Sequence, residues 1–138
     1  MQATHTRSLP GVLRGLHAQA WSRIVYPVNG EILNVLVDTR EYSMTFGKVE
    51  TFLINDVHRY SIYVPSFVAN GYVVLGKNSV DYLYFLDQYY EEKYNKGVLW
   101  NDPDLHIDWN IENPIVSSKD KKNKTMRRLF PKKYDKAK

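Results

Sequence analysis

Short segments in which apolar and polar residues alternate run along almost the whole chain. In ILNVLV, residues 32–37, the even-numbered positions share one face and the odd-numbered positions share the other, as in a β-strand. KVETFLIN, RYSIYVP, GYVVLG and VDYLYFLDQYY repeat this kind of segment, with Gly, Asn, Asp and Pro between them. Many short strands joined by regular turns predict an all-β sandwich or barrel.

The pair Asn29-Gly30 lies between two β-rich runs, RIVYPV and EILNVLVD. Asn-Gly favours a type I′ turn because both central positions of that turn need a positive φ angle. We therefore predict a tight hairpin at this point. Helix is predicted only for a short segment within residues 89–96 and for short segments near the C-terminus.

The length of 138 residues suits a single domain with a substantial core. We expect one domain over residues 1-138, with a short N-terminal arm at 1-10 and a basic C-terminal tail at 121-138. The chain contains no cysteine, which excludes a disulfide framework and a thiolate metal site. It has neither the apolar core of a signal peptide nor an apolar run long enough to span a membrane. We therefore predict a soluble, cytoplasmic protein with no membrane partner.

The net charge of +4 is distributed unevenly along the chain. From Lys119 to the end, ten Lys or Arg residues face two Asp residues, giving +8, and the preceding residues carry the remaining −4. The basic residues of the tail lack the interleaved aromatic residues of a nucleic-acid-binding surface. We therefore predict no nucleic-acid partner and interpret the tail as solvated or as packed against another subunit.

Arg14 and His17 in GVLRGLHAQ are the first candidates for chemistry. The residues alone leave two interpretations of His17, a hydrogen-bonded structural histidine or a catalytic one. Tyr84, in DYLYFLDQYY, equally fits the packed face of a sheet. The four histidines, at positions 5, 17, 58 and 106, include no pair at a short ligand spacing, so no metal site is predicted.

Six segments occur along the chain in a distinctive order: GVLRGLHAQ, VNGEILNVLVDTR, SMTFGK, YVPSFVANGYVVL, YLYFLDQYY and GVLWNDPDLHIDW, the last followed by SSKD. In this order they resemble the dTDP-4-dehydrorhamnose 3,5-epimerase family, which comprises cupin-type enzymes of deoxysugar biosynthesis. GVLRGLHAQ is similar to the family's GVLRGLHYQ, YVPSFVANGYVVL to (I/V)P-x-GFAHGFxVL, and YLYFLDQYY to FLYKxTDYY. The resemblance runs from Gly11 to about Asp120.

The resemblance implies a cupin-type jelly-roll β-barrel that forms a homodimer and acts on a nucleotide-linked 4-keto-6-deoxy sugar without a metal or cofactor. A ketone at C4 acidifies the hydrogens on C3 and C5, so epimerisation needs a base, an enolate stabiliser and an acid. His17 matches the family's catalytic base, and Asp120 matches the carboxylate that orients it. Tyr84 matches the acid on the other face of the sugar.

The resemblance also implies a set of substrate-binding residues, two of which depart from the family. Arg14 matches an arginine that binds the phosphate side of the substrate, and Gln19 and Tyr90 match other residues of the pocket. Arg23 replaces a family lysine that faces the enolate oxygen, and Asn70 replaces the histidine of FAHGF. Arg23 keeps the positive charge, whereas Asn70 keeps hydrogen bonding and loses a titratable group.

Three functions are therefore considered. The first is a nucleotide-sugar 4-keto epimerase acting at C3, C5 or both. The second is a 3,4-ketoisomerase, whose R-G-x-H-A-H segment resembles RGLHAQ with Gln19 in place of its second histidine. The third is a non-catalytic cupin that binds a sugar nucleotide. Family members carry a longer segment before GVLRGLH than the ten residues here, so we expect recognition of the nucleotide base to differ.

Overall fold

The computed structural model describes residues 1–135, and these residues form ten β-strands and a few short helices. The strands are β1 (Gln2–Ser8), β2 (Val12–Gln19), β3 (Arg23–Pro27), β4 (Ile32–Asp38), β5 (Val49–Ile54), β6 (Ile62–Val64), β7 (Val68–Val74), β8 (Val80–Leu86), β9 (Asn95–Gly97) and β10 (Ile115–Val116). The helices are a 3-10 helix (Glu92–Tyr94), α1 (Ser118–Lys121), α2 (Met126–Leu129) and α3 (Pro131–Tyr134). The predicted short helices therefore lie where the sequence placed them.

The strands form two sheets. A four-stranded sheet has the order β1-β8-β3-β6, and a six-stranded sheet has the order β10-β2-β7-β4-β5 with β9 paired to β2. All pairs are antiparallel except β10 with β2. Buried residues of both sheets meet in one inner core, so the sheets lie face to face. This arrangement confirms the all-β, cupin-type jelly-roll prediction.

A second, outer core covers the other face of the six-stranded sheet. The odd-numbered residues of ILNVLV pack there, as their alternation predicts, together with Leu13 and Leu16 of β2. The segment that follows β9 returns over this face and contributes Trp109, Met126 and Phe130. Since Met126 and Phe130 are buried, the described part of the basic tail packs against its own domain.

The hairpin predicted at Asn29-Gly30 is wrong. Gly30 does adopt a positive φ of 73°, but β3 and β4 belong to different sheets and do not pair. The turn is held by Asp81 of β8, whose Oδ2 accepts from Asn29 Nδ2 (3.1 Å) and whose amide donates to Asn29 Oδ1 (2.8 Å). Arg59 also donates to the carbonyls of Pro27 and Gly30. These contacts hold the turn in which the chain passes from the four-stranded sheet to the six-stranded sheet.

The predicted N-terminal arm is a strand, because residues 2–8 pair with β8 at the edge of the four-stranded sheet. This edge strand brings Ser8 to the inner side, where it is buried. Within residues 1–135, no helix is long and apolar enough to cross a membrane.

Candidate active site

A cavity of about 110 Å³ lies between the two sheets and gathers nearly all of the predicted site residues. All of the predicted residues except Tyr90 line it: Arg14, His17, Gln19, Arg23, Asn70, Tyr84 and Asp120. Gly71 and Tyr72 of β7 complete its wall. Residues more than 100 positions apart in the sequence thus converge on one site.

An irregularity in β2 allows three of its polar residues to face this cavity. Strict alternation would place residues three apart, such as Arg14 and His17, on opposite faces of a strand. The pairing of β2 with β7 shifts register between these two residues, so both face inward, and Gln19 follows. At Gly15 the φ angle is 138°, and an added Cβ would lie 2.7 Å from the Gly71 Cα. Glycine is therefore required for this shift.

His17 and Asp120 form a hydrogen-bonded pair at the cavity. His17 Nε2 lies 2.8 Å from Asp120 Oδ1, and the Gly15 amide donates to Asp120 Oδ2 (3.1 Å). Asp120 is 5% exposed and lies on α1, whose N-cap residue Ser117 accepts from the Asp120 amide. Burial raises the pKa of the Asp120 carboxyl, but the hydrogen bonds from His17 and Gly15 outweigh it, and the pKa is lowered overall. A carboxylate can only accept, so Nε2 is the donor of this hydrogen bond, and in the neutral imidazole the lone pair then lies on Nδ1.

Arg14 is anchored on one side and open on the other. Its Nε donates to Ser8 Oγ (2.9 Å), which also lies 2.9 Å from the Tyr72 hydroxyl. The terminal Nη atoms make no hydrogen bond to a described residue, although the side chain lines the cavity. A guanidinium held by Nε in this way presents its remaining donors to an anion, and carboxylate and phosphate groups match its geometry.

Arg23 is 3% exposed and belongs to the wall formed by the four-stranded sheet. Its Nη2 donates to the carbonyls of His17 (2.9 Å) and Val68 (3.2 Å), whereas its Nη1 is buried without a hydrogen-bond partner among the described residues. Burial lowers the pKa of Arg23 to about 10, which keeps the side chain charged at neutral pH. A buried cation with an unpaired N–H is suited to bind an oxygen that becomes negative.

Tyr84 lies across the cavity from His17. It belongs to β8 of the four-stranded sheet, whereas His17 belongs to β2 of the facing sheet. Burial and the neighbouring tyrosines Tyr72 and Tyr82 raise its pKa well above the ordinary value, and the charge of Arg14 opposes that shift. The hydroxyl therefore keeps its proton at neutral pH and can donate it.

Tyr90 is the predicted residue that the structure does not bring to the cavity. It is 40% exposed and packs edge-on against Trp21, with ring centroids 5.4 Å apart. Its hydroxyl donates to Glu92 and accepts from Asn95 Nδ2 (3.1 Å). Since Gln19 Nε2 also bonds Asn95 (3.4 Å), Tyr90 is connected to the cavity through these two residues.

Several polar residues that support the site are not among those predicted from the sequence. Ser8 accepts a hydrogen bond from Arg14 and is itself bonded to Tyr72, and Asn34 and Tyr82 hydrogen-bond to Asn70. Asn34 gave one signal, because it is the only polar residue in the apolar run ILNVLV. Tyr72 gave another, since it follows Asn70 by two positions and shares its face of β7.

Neither a second pocket nor a metal site offers an alternative to this cavity among the described residues. A larger groove of about 540 Å³ lies beside Ala18 and Phe130, on the outer side of β2, and neither His17 nor Asp120 lines it. Among residues 1–135, no three His, Asp or Glu side chains converge as a group that could hold a metal ion.

Comparisons with known proteins identify the family. The family model described as dTDP-4-dehydrorhamnose 3,5-epimerase matches residues 1–128. The dTDP-4-dehydrorhamnose 3,5-epimerase of Shigella flexneri is 35% identical over 124 residues, which cover 87% of this chain and 68% of that enzyme.

Solved structures agree with this match. The dTDP-6-deoxy-D-glucose-3,5-epimerase of Legionella pneumophila, in complex with dTDP-4-keto-L-rhamnose, is similar with a TM-score of 0.88 and 31% identity over 96% of this chain and 72% of that one. A 4-keto-6-deoxy sugar epimerase from the novobiocin cluster of Streptomyces spheroides is similar with a TM-score of 0.90 and 27% identity over 96% and 68%. The chain therefore belongs to the dTDP-4-dehydrorhamnose 3,5-epimerase family of isomerases.

Proposed function

We propose that this protein inverts C3, C5 or both of a dTDP-linked 4-keto-6-deoxyhexose. The observation that carries the proposal is the His17–Asp120 pair on one sheet, opposite Tyr84 on the other sheet of the same cavity. Such a placement puts a base and an acid on opposite faces of a flat substrate ring. The substrate class is supported by the ligand of the similar Legionella enzyme and by the 4-keto-6-deoxy sugar specificity of the Streptomyces one.

Each inversion breaks one C–H bond next to the C4 carbonyl. His17 Nδ1 takes the proton, and the electron pair of the bond forms the C=C bond of an enolate, with the negative charge on the former carbonyl oxygen. Tyr84 then gives its hydroxyl proton to the same carbon from the opposite face, and the carbonyl forms again. Solvent removes the proton from His17 and restores one to Tyr84, so the substrate gains and loses no atoms.

The remaining cavity residues bind the substrate and stabilise the enolate. Arg23 faces the enolate oxygen with its unpaired Nη1, and its charge at neutral pH lowers the energy of the enolate. Arg14 holds the diphosphate through the donors that Ser8 leaves open. Gln19 and Asn70 offer neutral hydrogen bonds to the hydroxyl groups of the sugar.

The test is proton NMR of dTDP-4-keto-6-deoxyglucose with the protein in deuterated buffer. Because Tyr84 returns a deuteron from solvent, we expect the C3 signal, the C5 signal or both to disappear as the product forms. The GDP-linked sugar is tested as a second substrate, to determine which nucleotide the protein accepts.

The three functions considered from the sequence give different spectra. Loss of a C3 or C5 signal with retention of the C4 ketone supports an epimerase, and the carbon that loses its signal identifies the centre. Movement of the carbonyl to C3 supports the ketoisomerase instead. Binding of the sugar nucleotide without any exchange supports the non-catalytic cupin.

The homodimer remains a prediction, and the outer face of the four-stranded sheet is the surface that we propose for it. Ile24, Tyr63 and Phe85 are cross-strand neighbours there and are 43%, 62% and 38% exposed. An apolar row of this kind is typical of an interface. Light scattering of Tyr63→Glu should show a monomer where the unchanged protein shows a dimer.

A further inference from the structure

Three polar side chains form a closed ring of hydrogen bonds beside the cavity. Asn34 Nδ2 donates to Asn70 Oδ1 (2.7 Å), Asn70 Nδ2 donates to Tyr82 Oη (3.2 Å), and Tyr82 Oη donates to Asn34 Oδ1 (2.6 Å). Each member therefore gives one hydrogen bond and accepts one. We refer to this set as the Asn34–Asn70–Tyr82 ring.

The ring joins the two sheets at the cavity wall. Asn34 and Asn70 lie on β4 and β7 of the six-stranded sheet, and Tyr82 lies on β8 of the facing sheet. Asn34 and Tyr82 are fully buried, whereas Asn70 also lines the cavity. Asn70 is thus the member of the ring that a substrate can contact.

The lengths of the bonds show in which direction the ring runs. An O–H donor makes bonds of about 2.7–2.8 Å, shorter than the 2.9–3.0 Å that is usual for an N–H donor. In the observed direction the Tyr82 hydroxyl donates the 2.6 Å bond and accepts the 3.2 Å bond. In the reverse direction the hydroxyl would donate the long bond and an amide would donate the short one. The geometry therefore favours the observed direction.

This direction determines what Asn70 presents to the cavity. A carboxamide has one carbonyl oxygen and two N–H donors. Asn70 uses the oxygen toward Asn34 and one N–H toward Tyr82, and its second N–H has no hydrogen bond to a described residue. Arg23 Nη1 is a second unpaired donor in the wall of the same cavity.

We propose that the Asn34–Asn70–Tyr82 ring holds Asn70 as a neutral hydrogen-bond donor to an oxygen of the bound sugar, with Asn34 and Tyr82 as positioning residues. This inference rests on the proposed function, since it assigns the role to the same cavity. Burial raises the pKa of Tyr82 well above its ordinary value, and neither asparagine titrates. The donor therefore keeps its orientation from acid to alkaline pH.

The variant Asn34→Asp tests the ring through its pH dependence. A protonated aspartic acid has the shape of asparagine and donates to Asn70 Oδ1, but an ionised one cannot donate and draws the Asn70 N–H away from the cavity. We expect the C–H exchange rate to fall at least 10-fold at pH 8 relative to the unchanged protein. Because position 34 is fully buried, the pKa of the new carboxyl is raised above its ordinary value. The ratio of the two rates should therefore rise toward one as the pH falls through that pKa.

Asn55→Asp is the matched control, because it makes the same change of charge at a site away from the cavity. Asn55 Oδ1 accepts from the amides of Val57 and His58, and an aspartate oxygen accepts these bonds equally well. We expect no change in rate at any pH for this control. Tyr82→Phe, which removes only a hydroxyl, provides the test if Asn34→Asp does not fold, and should lower kcat with the native pH profile.

Two measurements separate this inference from the proposed reaction. NOEs in the ¹⁵N-labelled protein should connect the Tyr82 ring more strongly with the Asn70 side-chain amide protons than with those of Asn34, and the opposite pattern overturns the ring direction. Titration with dTDP-4-keto-6-deoxyglucose should show at least 5-fold weaker binding by Tyr82→Phe, whether or not exchange occurs. Unchanged binding, or an Asn34→Asp rate ratio that stays constant with pH, overturns the donor role of Asn70.

Discussion

The two faces of the six-stranded sheet are built from the same strands, yet one is apolar and the other carries the candidate site. On the outer face, Leu16 of β2 packs with Met126 in a core closed by the C-terminal segment. On the inner face, His17 and Asn70 line the cavity, each with a specific hydrogen-bond partner. Adjacent residues of β2 therefore differ completely in what surrounds them.

The two faces depend on different kinds of interaction. Apolar packing is non-directional, so an outer-face residue contributes mainly through its volume and buried surface. A buried polar group depends on one partner in one geometry, and removal of that partner leaves it unsatisfied. Changes on the outer face should therefore lower stability with little effect on the chemistry. Changes at the polar residues of the inner face should lower the rate of the reaction, and they should also lower stability where they leave a buried partner unsatisfied.

The largest effect is expected on the inner face, for His17→Asn. This change removes the proposed base, so C–H exchange should fall by roughly 10²–10⁴-fold or more while the melting temperature stays near that of the unchanged protein. The measurement is deuterium incorporation by NMR. His5→Asn is the control, since His5 bonds Asp81 on the exposed edge of the other sheet. Equal exchange by His17→Asn and the control would contradict the role of His17.

Met126→Ala is the corresponding change on the outer face. Met126 is fully buried, so its truncation should lower the free energy of unfolding by about 2–5 kcal/mol, as measured by denaturant titration. The exchange rate of the folded protein should remain unchanged. Met44→Ala is the control, because Met44 is fully exposed and should lose almost no stability. A large loss of rate in folded Met126→Ala would show that the two faces are coupled.

Gly15→Ala affects both faces, because Gly15 lies where β2 changes register. The new Cβ would approach the Gly71 backbone at 2.7 Å, and the φ of 138° is strained for alanine. We expect a loss of about 1–3 kcal/mol of stability together with a lower exchange rate, since the Gly15 amide also holds Asp120. Gly47→Ala separates the two causes: its φ is 83°, but nothing lies within 4 Å of the added Cβ. Comparable losses in both variants would exclude a role for the clash.

The smallest expected effect concerns the pH dependence of stability in Asp120→Asn. The folded pKa of Asp120 lies below its unfolded value of about 3.9, so its carboxylate stabilises the fold fully above that value. Asp120→Asn should be less stable by about 1–3 kcal/mol at pH 7, and the difference should shrink as the pH falls below 4. Asp108→Asn is the control, because an asparagine oxygen can still accept from the Asn110 amide. A difference that persists at low pH would show that the carboxylate charge is not the cause.

Local pattern predicted the strands and much of the site. The alternation of ILNVLV assigned its odd-numbered residues correctly to one packed face. Seven of the eight residues selected by motif line one cavity, because motif order reflects a shared arrangement of strands. The proposal that His17 is catalytic rests on the motifs, since one histidine in one strand fits both a structural and a catalytic interpretation.

The pairing of distant segments could not be predicted from local sequence patterns. Asn29-Gly30 has the composition of a hairpin turn, but Asp81 and Arg59, far away in the sequence, draw the flanking strands into different sheets. Tyr90 lies outside the cavity because its hydroxyl bonds Glu92 and Asn95 instead. These outcomes depend on partners that no local window contains.

The strand faces, the all-β class and the candidate residues of the site could be predicted from the sequence, because side-chain alternation and motif chemistry are local properties. Which strands pair, and in which register, depends on the packing of the whole chain. The same packing produces the register shift of β2 near Gly15, by which Arg14 and His17 share a face, and it brings Asn34 and Tyr82 to Asn70. The physical reason is that a hydrogen bond requires both partners within about 3 Å, and only the packed sheets bring such distant residues that close.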